Sequence, residues 1–223
     1  MSKKTLLKQL FQKRVNDELH GFPNGFQQVG DFHGGVYDSF GHVSPWTKSA
    51  CNVDSPIMVV AQDWSSTEAL ASPPKDINLG YDPDLPTNKN LQRLLKDFFG
   101  LSFNDIYATN LFVFVKPGRL SARIPNKLLE YSAENYTLSE IQIVSPKVVI
   151  CLGSITYKTL EKVIKRNNLD LVTKDSSEYL QYEGARIVGV PHTGALGTMN
   201  AGGMKSVRQI WSQVSTLTQQ NLH

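Results

Sequence analysis

Residues 57–63 read Ile-Met-Val-Val-Ala-Gln-Asp, and their pattern is the first indication of the fold. Five apolar residues in a row, followed by polar ones, are typical of a strand buried on both faces of a parallel sheet. Similar apolar runs lie at residues 106–115, 147–152 and 186–190. Helical patterns lie between or after these runs, at residues 88–99, 138–144, 155–166 and 205–217. We therefore expect an α/β fold whose central four-stranded parallel sheet is flanked by helices and joined by right-handed crossovers.

The first 55 residues have a different pattern. Residues 5–19 place their leucines on one helical stripe, which predicts an amphipathic helix. Residues 21–55 are rich in glycine and aromatic residues, which predicts an irregular segment. Because 223 residues favour one domain, we expect residues 1–55 to belong to the same domain as the α/β unit at residues 56–223.

Composition excludes several classes of protein. Two cysteines cannot build a four-thiolate zinc or iron–sulfur site alone, and they are too few for a disulfide scaffold. The longest apolar runs have five residues, whereas a membrane helix needs about 20. The N-terminus lacks the long apolar stretch of a secretory signal. We expect a cytoplasmic protein.

The distribution of charged residues along the chain is more informative than the net charge. Lysine and arginine number 23 against 20 acids, and the net charge of +3 permits a polyanionic partner without demanding one. Residues 111–129 and 184–223 contain no acid, although both carry lysine and arginine. These stretches are either two basic binding surfaces or a solvated loop and a solvated helix face.

Polar residues lie at the ends of the predicted strands. Gln62 and Asp63 end the first apolar run, Asn110 interrupts the second, and Gly153 and His192 follow the third and fourth. The carboxyl ends of parallel strands share one edge of the sheet, which is where ligands bind in open α/β folds. The sequence therefore predicts one site built from four separate segments.

Each of these residues has a chemical interpretation and a structural alternative. Asp63 is either a base that activates water or a carboxylate that caps a turn. His192 is either a donor to a developing oxyanion or a structural histidine. Asn110 offers one acceptor and two donors, which match the edge of a pyrimidine base, or it satisfies nearby backbone groups. Leu196, in a glycine-bearing loop, is either a wedge that enters a base stack or a core residue.

Four motifs in order resemble the uracil-DNA glycosylase superfamily. They are Val-Val-Ala-Gln-Asp at 59–63, Thr-Asn-Leu at 109–111, Val-Val-Ile-Cys-Leu-Gly at 148–153 and Val-Pro-His at 190–192. The similarity runs from about residue 57 to the final helix. The branches with an iron–sulfur cluster need four cysteines and this sequence has two, so the resemblance is to a divergent member without a cluster. The resemblance implies a uracil-DNA glycosylase-like α/β domain and an enzyme of base-excision DNA repair. Such an enzyme flips uracil or another modified base out of DNA and hydrolyses its N-glycosidic bond without a metal or other cofactor.

The resemblance also implies roles within the site. Asp63 would position or activate water and stabilise the sugar cation, and His192 would stabilise negative charge on the base. Gln62 and Asn110 would bind the base.

Three further residues would contact DNA. A basic loop that contains Lys116, Pro117, Gly118 and Arg119 resembles one that touches phosphates in the thermophile-type branches. Leu196 would fill the gap left by the extruded nucleotide. The implied partner is DNA, and we expect a monomer.

Departures from the family pattern keep other functions open. Ala61 and Trp64 replace a glycine and a proline, and Ser65 stands where a tyrosine blocks the thymine methyl in the best-known branch. A different modified base, such as a phage-type modified cytosine, is therefore an alternative substrate. A non-catalytic binder of DNA or a nucleobase on the same fold is a further alternative. Either Trp64 or Tyr81 would stack on the base, and residues 21–55 would be an addition that gates the substrate.

Overall fold

A central sheet of five strands organises the protein, as seen in a computed structural model that describes residues 1–72, 77–167 and 179–219. The strands are β1 (Ile57–Asp63), β2 (Tyr107–Phe112), β3 (Val148–Leu152), β4 (Leu180–Tyr182) and β5 (Ala185–Val190). Their order across the sheet is β2-β1-β3-β5-β4, and the first four in this order run parallel.

The four predicted parallel strands are confirmed, whereas the prediction of a four-stranded sheet is wrong by one strand. The fifth strand, β4, pairs antiparallel with β5 at the edge of the sheet. It has three residues, too few for a recognisable alternation. Glu183 and Gly184 both have positive φ in the connection from β4 to β5, as in the tight turns that favour β-hairpins.

Seven α-helices lie within the described residues: α1 (Lys3–Val15), α2 (Pro86–Phe99), α3 (Asn126–Ser132), α4 (Leu138–Val144), α5 (Ser154–Arg166), α6 (Ala195–Asn200) and α7 (Met204–Gln219). The predicted helices are confirmed; α3 and α6 are additional, and α1 ends four residues before Leu19. A turn of π-helix at Ala133–Thr137 joins α3 to α4. Among these described helices, none is long and apolar enough to cross a membrane.

Alternate side chains of β1 pack into two hydrophobic cores, one on each face of the sheet. Met58 and Val60 pack on the face that carries α3, α4 and α5, whereas Ile57 and Val59 pack on the face that carries α2 and α7. All four are at most 2% exposed. Burial on both faces explains why the strand reads as an unbroken apolar run.

The irregular N-terminal segment covers the outer edge of β2. The backbone N–H of Ala108 donates to the carbonyl of Ala50, and the N–H of Asn52 donates to the carbonyl of Ile106. Four short 3-10 helices lie in this segment, at Val29–Asp31, His33–Gly35, Asp38–Phe40 and Pro45–Ser49. These contacts satisfy backbone groups that an open sheet edge would leave unpaired.

The chain reverses its direction across the sheet at β1. The segment after β1 leads to α2 on one face, and the segment after β3 leads to α5 on the other. The two connections diverge and leave a crevice at the carboxyl ends of β1 and β3. This crevice is where the site residues meet.

Candidate functional site

A cavity of about 460 Å³ opens at the carboxyl ends of the parallel strands. Asp63 reaches it from the last position of β1, Asn110 from within β2, and His192 from the segment after β5. The structure thus brings together three polar side chains, of which the first and the last are 129 residues apart in the sequence. The volume is in the range of pockets that hold small organic ligands.

Asp63 is held by partners on both carboxylate oxygens. Its Oδ2 lies 2.8 Å from the Nζ of Lys116, and its Oδ1 accepts a hydrogen bond of 3.2 Å from the Nε2 of Gln62. The side chain is 13% exposed. Burial raises the pKa of Asp63 above its ordinary value, although Lys116 and the nearby His192 act in the opposite direction. The carboxylate is therefore fixed in place and more ready to take a proton than an exposed aspartate.

His192 presents a hydrogen-bond donor. Its Nδ1 accepts a hydrogen bond of 3.0 Å from the backbone N–H of Gly194, so the neutral ring carries its proton on Nε2. Burial lowers the pKa of His192, and the charge of Asp63 only partly offsets this effect. The imidazole is therefore neutral near pH 7, and Nε2–H is the group it offers to an oxyanion.

The close packing of α6 fixes the position of His192. A Cβ atom at Gly197 would lie 2.2 Å from the carbonyl oxygen of His192, so only glycine fits this contact.

Leu196 lies in the short helix α6, so its predicted placement in a flexible loop is wrong. Its side chain is 71% exposed, so it does not pack in the core.

The amide of Asn110 is oriented by the N-terminal segment. Ser44 accepts a hydrogen bond from the backbone N–H of Trp46 and donates its own hydroxyl to Oδ1 of Asn110 at 2.6 Å. The amide nitrogen has no hydrogen bond to any described residue. Asn110 is 2% exposed and lines the cavity, so the N–H donors are its free polar groups.

Aromatic residues from two parts of the chain form the cavity wall. Trp64 and Tyr81, the two predicted candidates for base stacking, both line it. The indole of Trp64 donates to the carbonyl of Gly80 at 2.8 Å and meets the ring of Tyr37 with centroids 4.6 Å apart. Tyr37 and Trp46, which also line the cavity, were not predicted. The aromatic and glycine-rich composition of residues 21–55 was the one signal that could have indicated them.

Two predicted roles do not fit the structure. Lys116 is 2% exposed, and its ammonium bonds to Asp63 and to the carbonyl of Leu120 beside the cavity instead of facing the protein surface, so the expected contact with a backbone phosphate is wrong. Gln62 is absent from the cavity wall and donates to Asp63, so the structure gives it a carboxylate as partner instead of a base. A single sequence shows neither the burial nor the partners of these side chains. Arg119 is 83% exposed, 3.6 Å from Glu68, and its phosphate contact stays a prediction.

Comparisons with known proteins place the chain in no family. No protein-family model matches it, and no curated protein matches it. Among the described residues, no group of three or more histidine, cysteine, aspartate or glutamate side chains could hold a metal ion. Function is therefore inferred from the geometry of the cavity.

Proposed function

We propose that this protein is a DNA glycosylase with a uracil-DNA glycosylase-like fold. It receives an extruded uracil or another modified base in the cavity and hydrolyses the N-glycosidic bond. One observation carries the proposal: Asp63, Asn110 and His192 come from three separate segments and line the same cavity. A carboxylate for the sugar, an amide for the base edge and a neutral imidazole for the leaving group are the groups that this reaction needs.

The reaction follows from the positions of the polar atoms. As the bond between C1′ of the sugar and the base nitrogen breaks, its electron pair moves to the base, and Nε2–H of His192 donates to the oxygen where negative charge develops. The carboxylate of Asp63 stabilises the positive charge on the sugar and orients a water molecule toward C1′. The water oxygen bonds to C1′, and its proton passes to Asp63, for which a raised pKa is suitable.

The polarity of Asn110 favours one kind of base edge. Because Ser44 already donates to Oδ1, the amide N–H groups are the ones available to a ligand. They would donate to a carbonyl oxygen, which uracil and hypoxanthine carry. Ser65 lines the cavity and is small, so a substituent at the position of the thymine methyl is not blocked by a tyrosine.

The surface around the cavity supports binding of DNA. Leu120 lines the cavity and is 46% exposed, and Leu196 and Met199 of α6 are each 71% exposed. Exposed apolar side chains beside a cavity suit insertion into a base stack. Arg119, one residue before Leu120, is 83% exposed beside Glu68, so a phosphate can reach its guanidinium.

A base-release assay tests the proposal. Oligonucleotides that contain uracil, hypoxanthine or a modified cytosine are incubated with the protein, and abasic sites are then cleaved with alkali. We expect release of at least one base by the parent protein and a strong loss with Asp63→Asn. Glu68→Gln serves as the matched control, because it also removes an acid from an ion pair but lies outside the cavity.

A non-catalytic binder is the second candidate. It is favoured by the observation that both oxygens of Asp63 already have protein partners. Binding of DNA or a free base without release from any of the three substrates would select this candidate and contradict the first.

A further inference from the structure

A buried amine lies directly behind the wall of the cavity. The Nζ of Lys116 contacts two groups, Oδ2 of Asp63 and the carbonyl oxygen of Leu120, and both of those residues line the cavity. The hydrolytic reaction proposed above uses Asp63 and gives Lys116 no chemical step. A lysine beside a carboxylate, shielded from water, is a common arrangement for an amine that forms a Schiff base.

The backbone holds Lys116 in this position. Its carbonyl accepts a hydrogen bond of 2.9 Å from the N–H of Thr67, and the N–H of Gly118 donates to the hydroxyl of Thr67 at 2.9 Å. The segment that follows Asp63 at the end of β1 is therefore tied to the segment after β2, which carries Lys116. The amine and the carboxylate are positioned as one unit.

We propose that Lys116 gives this protein a second activity, cleavage of the DNA strand at an abasic site through a Schiff base. The inference rests on the proposed function in one respect, that a deoxyribose is seated against Asp63. In that position C1′ lies next to the carboxylate, and Nζ lies 2.8 Å from the same carboxylate. The ring-opened abasic sugar carries an aldehyde at C1′, which is the electrophile that an amine attacks.

The proposed steps balance without an added reagent. Asp63 takes a proton from the ammonium, and Nζ bonds to C1′ of the aldehyde. The carbonyl oxygen then leaves as water with one proton from Nζ and the proton that Asp63 returns, which gives the protonated imine. Asp63, again a carboxylate, then takes a proton from C2′, the electron pair of that C–H bond forms a double bond between C2′ and C3′, and the phosphate leaves C3′ with the electron pair of the broken C–O bond. Water hydrolyses the imine and returns Lys116 as the free amine. The burial that raises the pKa of Asp63 also helps it to take the first proton.

Borohydride trapping on DNA with a preformed abasic site tests this activity without any need for base release. We expect a covalent protein–DNA complex when borohydride is present and a cleaved strand when it is absent. DNA with a tetrahydrofuran in place of the abasic sugar is the control, because it has no aldehyde. Peptide mapping of the reduced complex should locate the adduct at Lys116.

Variants sharpen the result. Lys116→Arg keeps the positive charge but cannot form an imine, and we expect trapping to fall by about a hundredfold or more. Lys158→Arg is the matched control, because Lys158 is an exposed lysine of α5 outside the two acid-free stretches, and trapping should not change.

The outcomes separate the two proposals. Base release by a protein that binds abasic DNA but gives no trapped complex would overturn the strand cleavage and leave the glycosylase intact. An adduct that maps to another amine would also overturn the role of Lys116. Trapping at Lys116 without release of any base would support the inference and contradict the glycosylase. Absence of DNA binding would overturn both.

Discussion

The buried pair of Asp63 and Lys116 permits a quantitative prediction for stability. The two charged groups are 2.8 Å apart, and their side chains are 13% and 2% exposed. Removing one partner of such a pair leaves the other charge buried without compensation, at a cost of about 3–5 kcal/mol in the free energy of unfolding. We therefore expect Asp63→Asn and Lys116→Met each to destabilise the protein strongly. The double variant should lose less than the sum, by about 2 kcal/mol, because it leaves no unpaired charge.

Urea unfolding of the parent, the single variants and the double variant measures this coupling. The pair of Arg119 and Glu68 is the internal control, since its atoms are 3.6 Å apart and its side chains are 83% and 61% exposed. Glu68→Gln should change the free energy of unfolding by less than about 1 kcal/mol. Additive effects of Asp63→Asn and Lys116→Met would refute the argument that the two charges compensate each other.

The same variants separate chemistry from folding. Asp63→Asn should reduce base release in a single turnover by at least about a hundredfold, the lower range for loss of a general base, with little change in DNA affinity. The double variant should be equally inactive although part of its stability returns. Base release by the double variant at the parent rate would remove Asp63 from the mechanism.

Three further predictions follow from single side chains. Leu196→Ala should lower activity on a paired target by about tenfold but leave a single-stranded target nearly unchanged, because an unpaired base needs less unstacking. Its melting temperature should stay close to that of the parent, since the side chain is 71% exposed, and equal losses on both targets would contradict the role as a wedge. Arg119→Ala should weaken binding to all DNA sequences alike and reduce the slope of log affinity against log salt by about one unit, whereas an unchanged slope would remove Arg119 from the phosphate contacts. Burial raises the pKa of Glu140 from 4.5 to about 7, against the effect of its hydrogen bonds from Tyr107 and Thr109. Between pH 4.5 and about pH 7, Glu140 is therefore protonated in the folded protein but ionised in the unfolded one. The contribution of Glu140 to the free energy of unfolding is fully present below pH 4.5 and falls by about 3 kcal/mol as the pH rises to about 7. Glu140→Gln should abolish this fall in thermal melts across that pH range; an equal fall in the variant would assign it to another group.

Local sequence patterns were enough to predict the α/β class and the edge of the sheet where the candidate site lies. Strands such as Ile57–Asp63 are buried on both faces, so their burial leaves an unbroken apolar run that can be read without any knowledge of neighbours. Parallel strands place their carboxyl ends on one side, so Asp63 and His192 could be assigned to one edge from their positions in the chain. The short strand β4 gave no such pattern because three residues carry no period.

The contacts between atoms in and around the cavity could not be predicted from local patterns, because they are made by tertiary packing. Ser44 orients the amide of Asn110 across 66 residues of sequence, and Tyr37 and Trp46 enter the wall from a segment without regular periodicity. Lys116 looked like a surface cation in an acid-free loop, yet the fold buries it against Asp63. Such contacts depend on the packing of segments that are distant in the chain, because the partner that compensates a buried polar group can come from any of them. Local sequence patterns therefore indicate where a site lies, whereas packing between distant segments sets its protonation states and its chemistry.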